Sequence, residues 1–541
     1  MVRTPEAGRR AESPMLSGAE VSYLRRPEVG TGWGGSNGGR NVDDGGHGPV
    51  SIAALRDAVL MGREPPPAQI VARLPSYRWC VVATVCIGAF MGQVDSSIAQ
   101  MLLPRLEYEF GARLSTVSWV AIVYLLAMAA FLPIFGRLAD MVGRKLLYTG
   151  GFLLFVLGSA LCGLAPNLPV LIAFRVLQAI GAALLSSNSV TIIVAAAGLE
   201  RRGRALGIQS AAQAAGLSAG PALGGLVLDT LGWQWVFWIN VPVGLVGAVI
   251  GWLVIPLTKE MPDDGRFDWK GAFLIVPALT ALMAGLNEAY AWGVASPAII
   301  GCVLLAVILL TLFVRAELRA EAPLVDLKLF REDAFITGNG AGLMSYAALF
   351  GLMFLMPFIF VRAYGDSALA AGLRLSIVPV MLGVTAPLGG ALYDRIGARL
   401  VTAAGMLTCL VGLVLLSAAM DGTSDSLPQA MLALAVFGVG QGFFISPNNS
   451  AIMAAAPAHL TGEAGGLLNV MRSVGISVGI AAASALLSWR LASLTGSGHN
   501  TLQASVSLLS SAGRDVVLLL SSFVAIAGGI SLVRTRSRSI T

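Results

Sequence analysis

Charge is what this sequence has least of. Asp, Glu, Lys and Arg make up 12% of its 541 residues, against roughly 25% in soluble globular domains. Half the usual share over such a length argues that lipid, not water, is the main solvent. The five cysteines (Cys80, Cys86, Cys162, Cys302 and Cys409) are scattered singly, with no C-x-x-C pair. Neither a disulfide framework nor a zinc site is supported by that spacing. His47, His459 and His499 lie far apart, so no metal site is expected. No G-x-x-x-x-G-K-[ST] loop occurs, which disfavours an ATP-driven pump. No cofactor is called for. Lysine is scarce as well, with four against 32 arginines, a bias that hints at a GC-rich bacterial genome.

Hydrophobic residues account for 56% of the chain. A bilayer core needs about 20 apolar residues per helix, and from Arg78 onward fourteen such stretches follow one another. The first centres near Ala89 and the last near Phe523. The seventh, Trp269–Tyr290, is the weakest and carries Glu288 near its end. Most of the 64 glycines lie inside these runs, where they let membrane helices approach closely. The expected fold is an all-α polytopic membrane protein with fourteen transmembrane helices. Residues 1–75 stand apart, Gly-rich around Gly30–Gly48 and broken by Pro65–Pro67. They read as a disordered cytoplasmic tail.

An even number of helices puts both termini on one side. Loops on that side hold eighteen Arg and Lys residues, among them Arg137, Arg201, Arg202, Arg204, Arg315, Arg395 and Arg534. The opposite loops hold six: Arg105, Arg113, Arg362, Arg374, Arg490 and Arg514. The positive-inside rule makes both termini cytoplasmic. The net charge of +6 therefore reports topology and contact with membrane lipids, not binding of nucleic acid.

The chain also repeats itself. The second helix ends in Gly136-x3-Asp140-x2-Gly143-Arg144-Lys145, and the tenth in Gly390-x3-Asp394-x2-Gly397-x-Arg399. Gly216/Gly220/Gly224 in the fifth helix answer Gly475/Gly479 in the thirteenth. Each offset is eight helices, which two six-helix halves flanking an extra pair explain. The expected division is a six-helix bundle over 76–258, two extra helices with a linker over 259–330, and a second bundle over 331–541. Two parallel repeats meeting at a central site is a transporter architecture.

These residues resemble the major facilitator superfamily, and within it the fourteen-helix drug:proton antiporters. The likeness spans roughly Arg78 to Arg534. The loop pattern G-x-L-a-D-x-x-G-R-K is complete in Gly136–Lys145. The fourth helix reads Arg175-x-x-Gln178-Ala179-x-Gly181, with Ala179 where the family pattern has Gly. The antiporter pattern G-x-x-x-G-P-x-x-G-G is complete in Gly216, Gly220, Pro221, Gly224 and Gly225. The first helix keeps Asp95 and Pro104 at the family spacing but departs from its pattern between them. The resemblance implies a major facilitator fold, a monomer, and a cavity lined in part by the first helix. It also implies a proton-relay role for Arg175.

Asp95 lies within the apolar run Cys80–Leu103. A charge at the centre of a membrane helix costs about 2.5–3.5 kcal/mol on insertion scales, so such acids are usually functional. Desolvation favours the neutral form, which suits Asp95 to carry a proton reversibly. The alternative is a hydrated rim residue bonded to a neighbouring helix. Arg175 needs a counter-charge from another helix, as either a relay or a structural cross-link. Gln178 joins Asp95 as a candidate cavity residue. Arg472, in the thirteenth helix, either attracts anionic groups or pins helices together. Gly136, Asp140, Gly143, Arg144, Lys145 and Asp394 read as a latch closing the cytoplasmic side in the outward-facing state. Trp233, Trp235, Phe237 and Trp238 read as an interfacial anchor, and Phe350 or Phe354 as candidate cavity aromatics.

A single proton moving through 100 mV releases about 2.3 kcal/mol, enough for roughly a fifty-fold concentration ratio. The expected function is proton-driven export of small hydrophobic or amphiphilic compounds across a bacterial inner membrane. Export of one native metabolite or lipid on the same scaffold is the second expectation.

Overall fold

A computed structural model describes residues 67–69, 73–198, 201–256, 268–288, 292–293, 296–320, 327–457, 460–495 and 504–533. The proposed tail over 1–75 falls almost wholly outside them, as do Lys259, Arg266 and the last arginines.

Among the described residues, fourteen helices are long and apolar enough to cross a membrane. In the first half these are α1 (Tyr77–Phe110), α2 (Leu114–Val142), α3 (Arg144–Gly163), α4 (Leu168–Ala197), α5 (Arg202–Thr230) and α6 (Trp235–Val254). The extra pair is α7 (Trp269–Asn287) and α8 (Pro297–Glu317). The second half comprises α9 (Asp333–Ala363), α10 (Ala368–Ile396), α11 (Ala398–Ala419), α12 (Leu427–Ala455), α13 (Thr461–Thr495) and α14 (Val506–Val533). No strand occurs among the described residues.

Local chemistry sets the ends of these elements. The side chains of Asn167, Asp268, Ser296 and Ser367 accept backbone N–H groups at the starts of α4, α7, α8 and α10, donors that no helical carbonyl reaches. Gly143 and Gly397 both take positive φ, 115° and 82°, and each turns one helix directly into the next. A side chain is strained in that region and glycine is not. The two loop motifs thus build the same turn, α2 into α3 and α10 into α11. Prolines such as Pro133, Pro221 and Pro447 sit inside helices, where neighbouring helices can satisfy the freed carbonyls.

Packing repeats with the motifs. Helix pairs α1–α5, α2–α4, α3–α4 and α3–α6 touch extensively, and so do α9–α13, α10–α12, α11–α12 and α11–α14. In α5, a Cβ on Gly216 would meet the Phe90 carbonyl at 2.6 Å, and one on Gly220 the Ser97 hydroxyl at 1.8 Å. In α13, Gly475 and Gly479 lie equally close to the Leu343 and Ala347 carbonyls of α9. Helix α9 is almost entirely enclosed by protein, whereas α8 is mostly exposed. The extra pair leans on the rest through α7, which contacts α2 and α13.

Successive helices alternate in direction, which defines two faces. The turn face carries the α2–α3 and α10–α11 turns; the far face carries the α1–α2, α5–α6 and α9–α10 connections.

Candidate functional site

Asp95 lies midway along α1 and is only 1% exposed. The hydrated-rim alternative therefore does not describe its surroundings. Arg175, equally buried, donates from one terminal nitrogen to Asp95 Oδ2 at 2.8 Å. Gln178, one turn along α4, donates to Asp95 Oδ1 at 2.8 Å, and Asn240 of α6 donates to the same oxygen at 3.0 Å. The i, i+3 spacing of Arg175 and Gln178 aims both at one carboxylate. The same Arg175 nitrogen reaches Gln178 Oε1 at 2.7 Å, while its Nε donates to the Val120 carbonyl of α2. Ser159 of α3 accepts from Gln178 and Asn240 and donates to the Phe237 carbonyl.

Five helices therefore join one network around a single carboxylate. A pair of buried charges is stable only when its geometry is good and its remaining lone pairs are satisfied. Asp95 and Arg175 meet both conditions. Above the guanidinium lies the Tyr124 ring, 4.2 Å from centroid to Cζ, with the Phe237 ring at 5.6 Å. These aromatic faces add attraction for the cation.

The aromatic cluster at the start of α6 divides its work. Phe237 and Trp233 are buried, and Trp233 packs edge-on against both Phe110 and Phe237. Only Trp235 is substantially exposed, as an interfacial anchor should be. Phe350 and Phe354 are fully buried in α9.

Arg472 is half-buried and donates to Gln93 Oε1 of α1 at 2.9 Å, with Tyr346 5.6 Å away. It bridges the halves at mid-depth. Gln100, seven residues beyond Gln93 and so on the same side of α1, is buried with neither amide atom bonded.

Further bonds between the halves lie toward the far face. Arg362, at the end of α9, donates to the Pro104 carbonyl of α1. The Asp229 carboxylate, at the end of α5, accepts from the backbone N–H groups of Ala368 and Leu369 at 3.2 and 2.8 Å. These are the first two donors of α10, where the partial positive charge of a helix collects. Beside them, a Cβ on Gly225 would meet the Ala368 carbonyl at 2.2 Å, and one on Gly372 the Pro221 carbonyl at 2.1 Å. Gly225 and Pro221 thus pack α5 against the opposite half. Ser484 of α13 donates to Ser118 of α2, which donates in turn to Asn287 of α7. Glu288 accepts from the Trp119 indole, which ties α7 to α2.

At the turn face, Lys145 is wholly buried with its ammonium 5.9 Å from the Trp252 ring. Asp394 is exposed at the end of α10. Gly136 and Gly143 keep the positions the motif gives them in and after α2; the side chain of Asp140 is outside the described set. Among the described residues no group of His, Cys, Asp and Glu is arranged to hold a metal ion.

A family model for the Major Facilitator Superfamily matches residues 85–480. The chain belongs to that superfamily. Like its relatives, this superfamily member is a multi-pass membrane transporter and not an enzyme. It is 32% identical over 407 residues to the riboflavin transporter RibZ of Clostridioides difficile, covering 75% of this chain and 87% of that one. It is 31% identical over 419 residues to a multidrug resistance protein B homolog of Mycobacterium tuberculosis, covering 76% and 75%. Solved superfamily structures share the fold. The POT family transporter PepTSo aligns with a TM-score of 0.61 at 13% identity, over 86% of this chain and 100% of its own. A D-xylose–proton symporter aligns with a TM-score of 0.55 at 16% identity, over 82% and 97%.

Asp95, Arg175 and Gln178 stand out in the sequence, whereas Ser159, Asn240, Gln93 and Asp229 join the site only in the fold. Asn240 interrupts the apolar run of α6, and a buried amide in a membrane helix calls for a partner. That interruption was the available signal.

Proposed function

We propose that this transporter exports small hydrophobic or amphiphilic compounds in exchange for protons, with Asp95 as the coupling carboxylate. The carrying observation is the enclosure of Asp95 by Arg175, Gln178 and Asn240. Protonation at Asp95 removes the charge that Arg175 faces. A guanidinium buried without a counter-charge costs several kcal/mol, so the cluster must rearrange. Arg175 also holds the Val120 carbonyl of α2, and α2 meets α13 of the other half. Protonation is thereby linked to the contact on which alternating access turns. Bonds between the halves near the far face fit a state open toward the turn face, and the arginine distribution supports reading that face as the cytoplasmic one. Substrate then enters between the halves and reaches Gln93 and Arg472 at mid-depth, with the buried, unbonded Gln100 beyond them toward the far face. Multidrug resistance relatives at about 30% identity favour an amphiphilic substrate.

The second reading is export of one native metabolite. The riboflavin transporter relative, matched over 87% of its own length, makes flavins the compounds to try first. The deciding experiment is transport in proteoliposomes under an imposed pH gradient, with wild type and Asp95→Asn side by side. A cationic dye and riboflavin would be offered separately. Gradient-driven dye movement, lost in the variant, supports the first reading. Movement of riboflavin alone supports the second. Undiminished movement in Asp95→Asn overturns the role of Asp95 in either.

A further inference from the structure

On the outer flank of the first half, α1 forms the floor of a groove between α5 and α6. It is an open trough of about 660 Å³, lined by α1 from Trp79 to Phe90, by Arg204, Ile208 and Ala212 of α5, and by Val243 of α6. This volume is within the range of ordinary ligand sites. Arg204 is its only charged lining residue.

The flank of α5 decides where the groove opens. Ala214, Pro221 and Gly225 meet α10 of the other half. Arg204, Ile208 and Ala212 follow one another at i, i+4 spacing along a different flank of α5, turned from those three by roughly 120° on average. On that flank the apolar rim residues Ile208 and Val243 are each 40% exposed, so the groove opens to the membrane and not onto the interface between the halves. Its depth is informative too. From Trp79 to Phe90 is eleven residues, about 16 Å at helical rise. That is half of a hydrocarbon core about 30 Å thick, the depth of one leaflet.

Arg204 lies at the headgroup end, in the first turn of α5. Its guanidinium sits 5.1 Å from the Trp79 ring, and no carboxylate among the described residues pairs with it. Arg201 and Arg202 are exposed beside it. A fixed cation at headgroup level above an apolar trough one leaflet deep matches a molecule with an anionic head and an acyl chain.

We propose that this groove is a binding site for an anionic phospholipid of the surrounding bilayer, its phosphate on Arg204 and one acyl chain laid over Cys86 and Phe90. The site lies apart from the Asp95 cluster and does not depend on what the protein transports.

The test is native mass spectrometry of the detergent-purified protein with phosphatidylglycerol and phosphatidylcholine of identical chains. Wild type is expected to bind phosphatidylglycerol more tightly, with inorganic phosphate failing to displace it. Arg204→Gln should lower phosphatidylglycerol affinity about fivefold, the worth of one basic residue at an anionic surface, and leave phosphatidylcholine unchanged. Ile208→Trp, an exposed position that fills the trough, should reduce binding of both lipids and leave the fold intact by circular dichroism. Equal binding of both lipids to wild type overturns the proposal. So does a preference that survives both substitutions, or displacement by free phosphate.

Discussion

The ion pair between Asp95 and Arg175 has an asymmetric energetic signature. Removing one partner strands a buried charge and costs about 3–5 kcal/mol, whereas replacing both can be nearly neutral. Arg175→Met alone should thus destabilise the protein by about that amount. The double variant Asp95→Asn/Arg175→Met should recover most of it, since the introduced amide oxygen still accepts from Gln178 or Asn240. Thermal denaturation in detergent reads both, and equal losses in single and double variants would mean the cost comes from the Arg175 contacts with Val120 and Tyr124, which both variants lose, and not from a stranded charge. The reason Asp95 and Arg175 are legible in the sequence is the same energetic one. An isolated charge stands out in an apolar run because lipid penalises it. Ser159 and Asn240 are cheaper to bury, so they leave little mark. Asn240 meets Asp95 across 145 residues of chain, and Ser159 meets Asn240 across 81. Only packing brings them together.

At the scale of the helix, glycine decides which faces touch. The fifth helix reads as a ladder of small residues, and the ladder is plain in the sequence. What could not be read there is that its rungs serve two neighbours. Gly216, Gly220 and Gly224 admit α1, while Gly225 and the Pro221 carbonyl admit α10 of the other half. A helix rotates by about 100° per residue, so adjacent Gly224 and Gly225 necessarily point to different partners. At Gly220 an added methyl would lie 1.8 Å from the Ser97 hydroxyl. Gly220→Ala is therefore expected to cost about 1–3 kcal/mol, the usual range for overpacking. Ser97→Gly in the same chain removes the clashing side chain and should return most of that loss. Thermal midpoints of the two variants test this; a Ser97→Gly change that returns nothing would show that α5 yields elsewhere.

For the whole molecule, the repeat at an offset of eight helices reveals the architecture, because the turn motifs and glycine ladders mark equivalent places in each half. It does not reveal the conformation. Which end of the molecule is closed depends on contacts between halves, and these use residues without a repeated partner, such as Asp229, Arg362 and Ser484. Asp229 carries a prediction of its own. Its carboxylate caps the first two N–H groups of α10 across the interface, while Ser367 caps a later one from within. Loss of a helix cap typically costs about 1 kcal/mol. Because this cap forms only when the halves meet at the far face, that cost falls on one conformation and not on the other. Asp229→Ala should accordingly shift the balance toward states open at the far face by roughly fivefold. Spin labels at the exposed positions Leu231 of the α5–α6 connection and Leu373 of α10 would report the change by double electron–electron resonance. A longer distance gaining population in Asp229→Ala, but not in Asp229→Glu, fits a closing contact. An unchanged distribution in both would place Asp229 among the residues that merely shape the loop, and closure would then rest on Gly225, Gly372 and the serine contact of α13.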